Sequence, residues 1–235
     1  MEDSEETLVK YSRDASIFTV RPKLVLFPKD KEDVKNLVKW VADNKDNYGL
    51  PMNGGEDISI TARCAGTDMS GGAIGESIIL DFTRHMNRLV GGPLPTKTKA
   101  QWTITVEPGM FYRDFEKITL AKGLILPCFT ASKSINAIGG MFGNNSAGER
   151  TLKYGQTEKY VVSSKVIFAD VNEYEVKPFA RAELDRKISQ GDFEGNVYKN
   201  IFNLIQENAK EIEQARPQVS KNASGYYLWN VFQNN

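Results

Sequence analysis

Short apolar runs alternate with amphipathic stretches along the first third of the chain. Leu24-Val25-Leu26-Phe27, closed by Pro28, is a continuous apolar run of strand length and predicts a short buried strand. Asp30 is placed to cap a following helix in which Val34, Leu37, Val38 and Val41 recur at helical spacing. A loop carrying Gly49, Pro51, Gly54 and Gly55 leads to a second strand over 59–63, and 77–81 reads as a third. Strand, helix, strand is the unit that builds a parallel layer.

Beyond this layer the pattern changes. A strand is predicted over 102–106, ended by Pro108-Gly109, then a helix over 111–122 with Phe111, Phe115 and Ile118 on one face and Gly123 at its end. Leu124-Ile125-Leu126-Pro127 precedes a cluster of small residues over 132–148. Runs over 161–168 and 174–179 flank Asp170-Val171-Asn172 and predict an antiparallel hairpin. A last amphipathic helix is expected over 197–212, with Val197, Ile201, Leu204, Ile205 and Ile212 on one side. Trp40 and Trp102 read most simply as core.

Composition narrows the function classes. The 235 residues suffice for one large domain or two fused lobes, with 40% hydrophobic and 26% charged residues, as in a globular protein. Lys plus Arg and Asp plus Glu are 30 each, so net charge gives no reason to expect nucleic acid or an anionic membrane, and any bound anion must be held by local geometry. The start is acidic with no apolar stretch after it, and no run approaches the roughly 20 residues needed to span a bilayer. A soluble, cytoplasmic protein with no transmembrane segment is therefore expected. Cys64 and Cys128 are too few for a disulfide scaffold, and a single histidine, His85, leaves no metal-site spacing. His85, after the third strand, reads as a surface loop residue rather than a general base.

The chemistry concentrates in two glycine-rich segments. Arg63-Cys64-Ala65-Gly66-Thr67-Asp68-Met69-Ser70-Gly71-Gly72 follows a strand directly, and its small residues let successive N–H groups converge on one point, as a diphosphate requires. Thr67 and Ser70 add hydroxyl donors, and Arg63 is placed either to pair with the diphosphate or to brace the fold. No glycine is followed by lysine and no G-x-G-x-x-G follows a strand, which excludes a P-loop and the dinucleotide fingerprint. The second segment is Ser134-Ile135-Asn136-Ala137-Ile138-Gly139-Gly140-Met141-Phe142-Gly143-Asn144-Asn145-Ser146-Ala147-Gly148, followed by Lys153-Tyr154-Gly155.

Together the two loops resemble the FAD-binding domain of the vanillyl-alcohol oxidase and para-cresol methylhydroxylase (PCMH) superfamily, in its glycolate oxidase and D-lactate dehydrogenase branch. Arg63 to Gly72, Val106-Glu107-Pro108-Gly109, Gly123-Leu124, Pro127, Ile138-Gly139-Gly140, Asn144 to Gly148 and Lys153-Tyr154-Gly155 follow that pattern in order over about residues 11–179. The resemblance implies an α+β PCMH-type fold, with a small parallel lobe over 1–90, a more antiparallel lobe flanked by helices over 91–215, and a tail over 216–235. It implies a pyrophosphate wrapped by Ala65, Gly66, Thr67, Asp68, Met69, Ser70 and Gly71. Pro127, Ser132, Ser134, Ile138, Gly139, Asn144 and Ser146 would line the flavin and its ribityl chain, with Tyr154, Gly155 and the backbone near Val161 close by. Several superfamily members tether the flavin to a histidine in the first loop; this chain has Thr67 at the matching place, so non-covalent FAD is expected.

Three residues depart from the pattern. Asp68 puts a carboxylate in a loop meant for phosphates, tolerable if the side chain points outward. Asn136 and Ala137 stand where the branch carries Ser or Thr. The activity implied is oxidation of a 2-hydroxy acid to a 2-oxo acid by hydride transfer to flavin N5, with an unspecified electron acceptor. Two alternatives stay open: a non-catalytic FAD-binding or electron-transfer subunit, and an enzyme like UDP-N-acetylenolpyruvylglucosamine reductase. The tail over 216–226 resembles the segment that precedes a substrate-binding cap in longer members of the branch, so the cap, with the residues holding the substrate carboxylate, is expected outside these residues or on a partner chain.

Overall fold

The computed structural model describes residues 1–44, 58–95, 101–219, 222 and 225–232. The loop with Gly49, Pro51, Gly54 and Gly55, like Ser220, Lys221, Ala223 and Ser224 of the tail, lies outside the described residues. Two compact units divide the chain, Met1–Val161 and Val162–Asn235.

In the first unit, α1 (Glu5–Tyr11) precedes β1 (Leu24–Leu26), α2 (Lys31–Asn44), β2 (Ile60–Arg63) and β3 (Ile78–Asp81). The three strands are parallel in the order β1-β3-β2. The central strand β3 is buried at all of its positions, as its Ile78-Ile79-Leu80 run demands of a strand flanked on both edges. Asp30 caps α2 as expected: its Oδ1 accepts the N–H of Glu32 at 2.9 Å and of Asp33 at 3.1 Å. Val34, Leu37, Val38 and Val41 form the less exposed face of α2, yet none is fully buried. Trp40 and Trp102 are 45% and 43% exposed, which corrects their reading as core.

Helix α1 has no counterpart in the hydrophobic pattern. Ser4 caps it, and it contributes Leu8 and Tyr11 to a core cluster with Val25 and Ile79. Only two apolar side chains of its seven residues need burial, too few to produce a periodic signal.

The antiparallel part begins with β4 (Leu89–Pro95) and β5 (Trp102–Val106), followed by α3 (Tyr112–Leu120), α4 (Ile138–Gly143) and α5 (Thr151–Tyr154). Strand β4 is Leu-Val-Gly-Gly-Pro-Leu-Pro, a composition that reads as a breaker. It is tolerated in a two-stranded ribbon whose register shifts on either side of Gly91. Residues 132–148, expected as a small-residue cluster, contain the short helix α4 despite three glycines. Met141 anchors that helix in the second core cluster, with Met110, Tyr112, Phe115, Cys128 and Phe129. Cys128 is fully buried there as a small filler.

In the second unit, β6 (Ser164–Ile167) and β7 (Glu173–Val176) form the expected hairpin, with Asp170 Oδ1 accepting the N–H of Asn172 at 3.2 Å in the turn. Then come α6 (Arg181–Ile188), α7 (Phe193–Glu207) and α8 (Ala209–Ala215). The single helix expected over 197–212 starts earlier, where Asp192 Oδ1 accepts the N–H of Gly195 at 2.8 Å, and breaks at Asn208. Lys187 meets the buried Glu194 at 2.5 Å between α6 and α7. Among the described residues, no helix is long and apolar enough to cross a membrane.

Candidate functional site

The two glycine-rich segments, far apart in sequence, face one another across a cleft of about 390 Å³. The chain leaves the end of β2 at Arg63 and turns sharply. Gly66 sits at φ +66, a backbone conformation that selects glycine, and a Cβ added there would lie 2.3 Å from the guanidinium of Arg63, which would have to shift.

Arg63 packs beneath its own loop rather than reaching across the cleft. It donates to the Ala73 carbonyl at 3.0 Å and lies 5.0 Å from the Tyr11 ring centre. Burial lowers its pKa, which the neighbouring Asp81, Tyr11 and Asp14 oppose. Arg63 therefore braces the loop while contributing a wall of the cleft.

The opposite wall is held by convergence of three segments on Gly139. Its N–H donates to the Pro108 carbonyl at 2.7 Å, and a Cβ there would meet Pro108 Cβ at 2.8 Å and Cys64 Sγ at 3.0 Å. The N–H of Ile138 donates to the Met110 carbonyl at 2.9 Å. The start of α4 thus spends its first donors on the turn after β5, and glycine is the only residue that lets these segments approach so closely. Cys64 lies inside this contact, where burial pushes its thiol pKa up to about 12.

Of the residues singled out in the sequence, Arg63, Ala65, Gly66, Thr67, Asp68, Ser132, Gly139, Asn144 and Ser146 line the cleft together. Met69, 81% exposed, and Ser70 lie on the outer side of the first loop, and Gly71 abuts the Phe18 ring. Ser134 is exposed and its carbonyl accepts from Arg113 at 2.9 Å, while Ile138 packs on the core. Half-buried Pro127, with Tyr154, Gly155 and Val161, also lies outside the lining.

The Tyr154-Gly155 segment acts on the cleft indirectly. Thr157 Oγ1 donates to the Ser146 carbonyl and Gln156 Nε2 to the Asn145 carbonyl, each at 2.8 Å, and the N–H of Glu158 donates to Asn145 Oδ1 at 3.0 Å. The turn after Gly155 therefore fixes the strand of chain that presents Asn144 and Ser146.

Several lining residues were named in motifs or passed over but not nominated as cofactor-binding: Phe82 and Pro108, and Asn136, Ala137, Gly140 and Phe142 from the second segment. Asn136 is the most informative. It is 4% exposed, donates through Nδ2 to Thr130 Oγ1 at 2.7 Å, and has no hydrogen-bond partner for its Oδ1. Its departure from the Ser or Thr of the family pattern was the signal available. His85 lies exposed on the turn after β3, as expected.

Asp68 does not point outward. Its Oδ2 accepts the N–H of Gly72 at 2.6 Å and of Ser70 at 3.1 Å, and its Oδ1 accepts from Asn144 Nδ2 at 2.5 Å. Burial raises its pKa, but these donors and the Ser70 hydroxyl outweigh it and hold the carboxyl below its usual range.

D-2-hydroxyglutarate dehydrogenase of Pantoea ananatis is 24% identical over 221 residues, 94% of this chain and 20% of that protein. Glycolate oxidase subunit GlcD of Bacillus subtilis is 28% identical over 171 residues, 72% of this chain and 33% of that protein. The mitochondrial D-lactate dehydrogenase [cytochrome] 1 of Saccharomyces cerevisiae is 26% identical over 150 residues, 64% of this chain and 23% of that protein. The chain spans 20% of the length of the D-2-hydroxyglutarate dehydrogenase it matches. Among solved structures, alkyldihydroxyacetonephosphate synthase superposes with a TM-score of 0.60 at 18% identity, over 78% of this chain and 32% of that one, and shares the α+β fold. The model of the FAD binding domain family matches residues 22–172, more than half of the chain, so this protein belongs to the FAD binding domain family.

Proposed function

We propose that this chain holds FAD non-covalently in the cleft between residues 63–72 and 132–146, as the flavin-binding part of an enzyme that oxidises a 2-hydroxy acid to a 2-oxo acid. The observation that carries the reading is the joining of the two loops into one cleft in a chain of the FAD binding domain family. The curated relatives named above, a D-2-hydroxyglutarate dehydrogenase, a glycolate oxidase subunit and a D-lactate dehydrogenase, support the substrate class.

The residues present fit the cofactor. Gly66 and Gly139 let the segments that form the two walls pack closely, Thr67 and Ser132 add hydroxyls, and the buried, unpartnered Oδ1 of Asn136 is an acceptor in the wall with no protein donor. A buried acceptor without a partner costs about 1–3 kcal/mol, which a ligand donor would recover. FAD, when bound, supplies the two-electron acceptor for the substrate's hydride. The chain's own share is placement: Ala65, Gly66, Thr67 and Asp68 around the diphosphate, with Met69, Ser70 and Gly71 completing the loop from outside the lining, and Ser132, Gly139, Asn144 and Ser146 along the flavin and ribityl chain, with Pro127, Ser134 and Ile138 supporting that wall from outside the cleft. Arg63 braces the first loop, and Tyr154, Gly155 and Val161 support the second. The lobes 1–90 and 91–215 would each contribute one wall.

The groups that hold the substrate carboxylate are proposed to come from residues outside this chain, in a cap or a partner, and the setting to be cytoplasmic. The test is direct. Reconstituted with FAD, the protein is precipitated with acid and the supernatant inspected. Yellow supernatant is the expected result, colour in the pellet would disprove non-covalent binding, and failure to take up FAD would remove the reading. Anaerobic mixing with glycolate, D-lactate and D-2-hydroxyglutarate should leave the flavin band unbleached by this chain alone. Rapid bleaching by one acid would place a complete active site within these residues.

A further inference from the structure

An acid sits on two backbone donors of the first loop, the amides of Ser70 and Gly72. The Asp68 carboxylate takes the N–H groups of Gly72 at 2.6 Å and Ser70 at 3.1 Å, and the Ser70 hydroxyl at 2.9 Å. Its second oxygen takes Asn144 Nδ2 at 2.5 Å, on the opposite wall. Among the described residues that line the cleft, the charged side chains are Asp68 and Arg63, and Arg63 is committed to the Ala73 carbonyl and the Tyr11 ring. Two backbone donors of the loop are therefore satisfied from within, and, Arg63 apart, no cation among the described lining residues offsets the carboxylate.

Resting on the FAD reading, we propose that Asp68 is an internal stand-in for the diphosphate, clasping the loop to Asn144 and giving up the N–H groups of Ser70 and Gly72 when a diphosphate binds. The physics sets two opposed effects. The clasp keeps a glycine-rich loop in shape without ligand, which lowers the entropy cost of binding. The carboxylate also competes for the same donors and repels an incoming anion at close range in a partly desolvated site. Donor competition and like charge act together, whereas preorganisation of a loop already braced by Arg63 and Phe18 gains little more. Asp68 thereby sets the affinity for diphosphate ligands and makes cofactor uptake an exchange of anions.

The experiment titrates FAD into the cofactor-free 235-residue protein, as wild type, Asp68→Ala and Asp68→Asn, following flavin fluorescence and calorimetry, with amide hydrogen exchange on the unliganded forms. Asp68→Asn keeps the side-chain shape and an acceptor, so it stays informative should the alanine variant fail to fold. The expected results are FAD binding at least about tenfold tighter in the variants, equivalent to about 1.4 kcal/mol, and faster exchange at Ser70 and Gly72 in Asp68→Ala. Binding by the variants but not by wild type would be the extreme of the same result. Equal or weaker FAD binding in both variants, with wild type binding, would overturn the stand-in role alone. Absence of FAD binding in all three would remove the FAD reading and this proposal with it, and unchanged exchange at Ser70 and Gly72 in Asp68→Ala would overturn the clasp itself.

Discussion

Tyr11 and Asp81, 70 positions apart, are joined by a buried hydrogen bond of 2.7 Å from the phenol to Asp81 Oδ2. Asp81 ends the central strand β3, and its Oδ1 accepts from both the N–H and the hydroxyl of Thr83 at 2.7 Å. Burial, then the hydrogen bond to Asp81, raises the Tyr11 pKa, so the phenol stays a donor at all ordinary pH. The bond locks α1 to the strand whose neighbour, β2, launches the first loop.

Tyr11→Phe should therefore destabilise the chain by about 1.5–3 kcal/mol, the range for a hydrogen bond to a charged group, with a further contribution from the lone pair left buried. Urea unfolding followed by far-UV circular dichroism is the check. A change below about 0.5 kcal/mol would mean that water replaces the phenol and that α1 is not locked by this pair.

Gly66→Val places a branched Cβ against the Arg63 guanidinium at a positive φ, and Gly139→Val drives one into Pro108 and Cys64. Both should lose FAD affinity by tenfold or more, measured by flavin fluorescence quenching. The cost in stability at Gly66 should be about 1–3 kcal/mol from backbone strain. Retention of wild-type affinity at both positions would show that neither segment touches the cofactor.

Because the folded pKa of Asp68 lies below its unfolded value, the clasp adds stability at pH values above about 3.9, the unfolded carboxyl pKa, and loses it as pH falls through the lower folded pKa. Asp68→Asn should flatten that acid limb and leave the pH dependence above 5 unchanged. Amide exchange or unfolding midpoints of the cofactor-free protein between pH 2.5 and 7 would show it. Coincident acid limbs for the two proteins would mean that the carboxylate is solvated rather than clasped.

Burial pushes the Cys64 thiol pKa up to about 12, and Cys128 is fully buried with its pKa also raised by burial. At pH 8 neither should react with a thiol-disulfide reagent in the native protein, and both should react after unfolding in guanidinium. Rapid labelling of Cys64 in the native state would show that the contact between Cys64, Pro108 and Gly139 opens readily.

The sequence by itself determined the parallel layer, the hairpin at Asp170-Val171-Asn172 and the order of the two glycine-rich segments. These features depend on neighbours in the chain: apolar runs of strand length, Asp30 four residues before Val34, and small residues directly after a strand. The tertiary structure decided what local pattern could not. It made a strand of Leu89–Pro95 by pairing it with Trp102–Val106, and a helix of Ile138–Gly143 by sinking Met141 into the core and taking its first amides on the carbonyls of Pro108 and Met110. It left Trp40 and Trp102 half-exposed, since neither packs into a core cluster.

At the site the division is the same. Glycine content marked the loops, because close backbone approach needs a residue without a Cβ wherever the partner lies. The side-chain roles were set by partners 10 to 76 positions away: Arg63 turned to Ala73, and Asp68 inward to Asn144. A hydrogen bond depends on position in space to within a few tenths of an ångström. Spacing along the chain carries that information only within a turn or a helix, so the direction of the Asp68 carboxylate was fixed by the folding of the two loops onto each other.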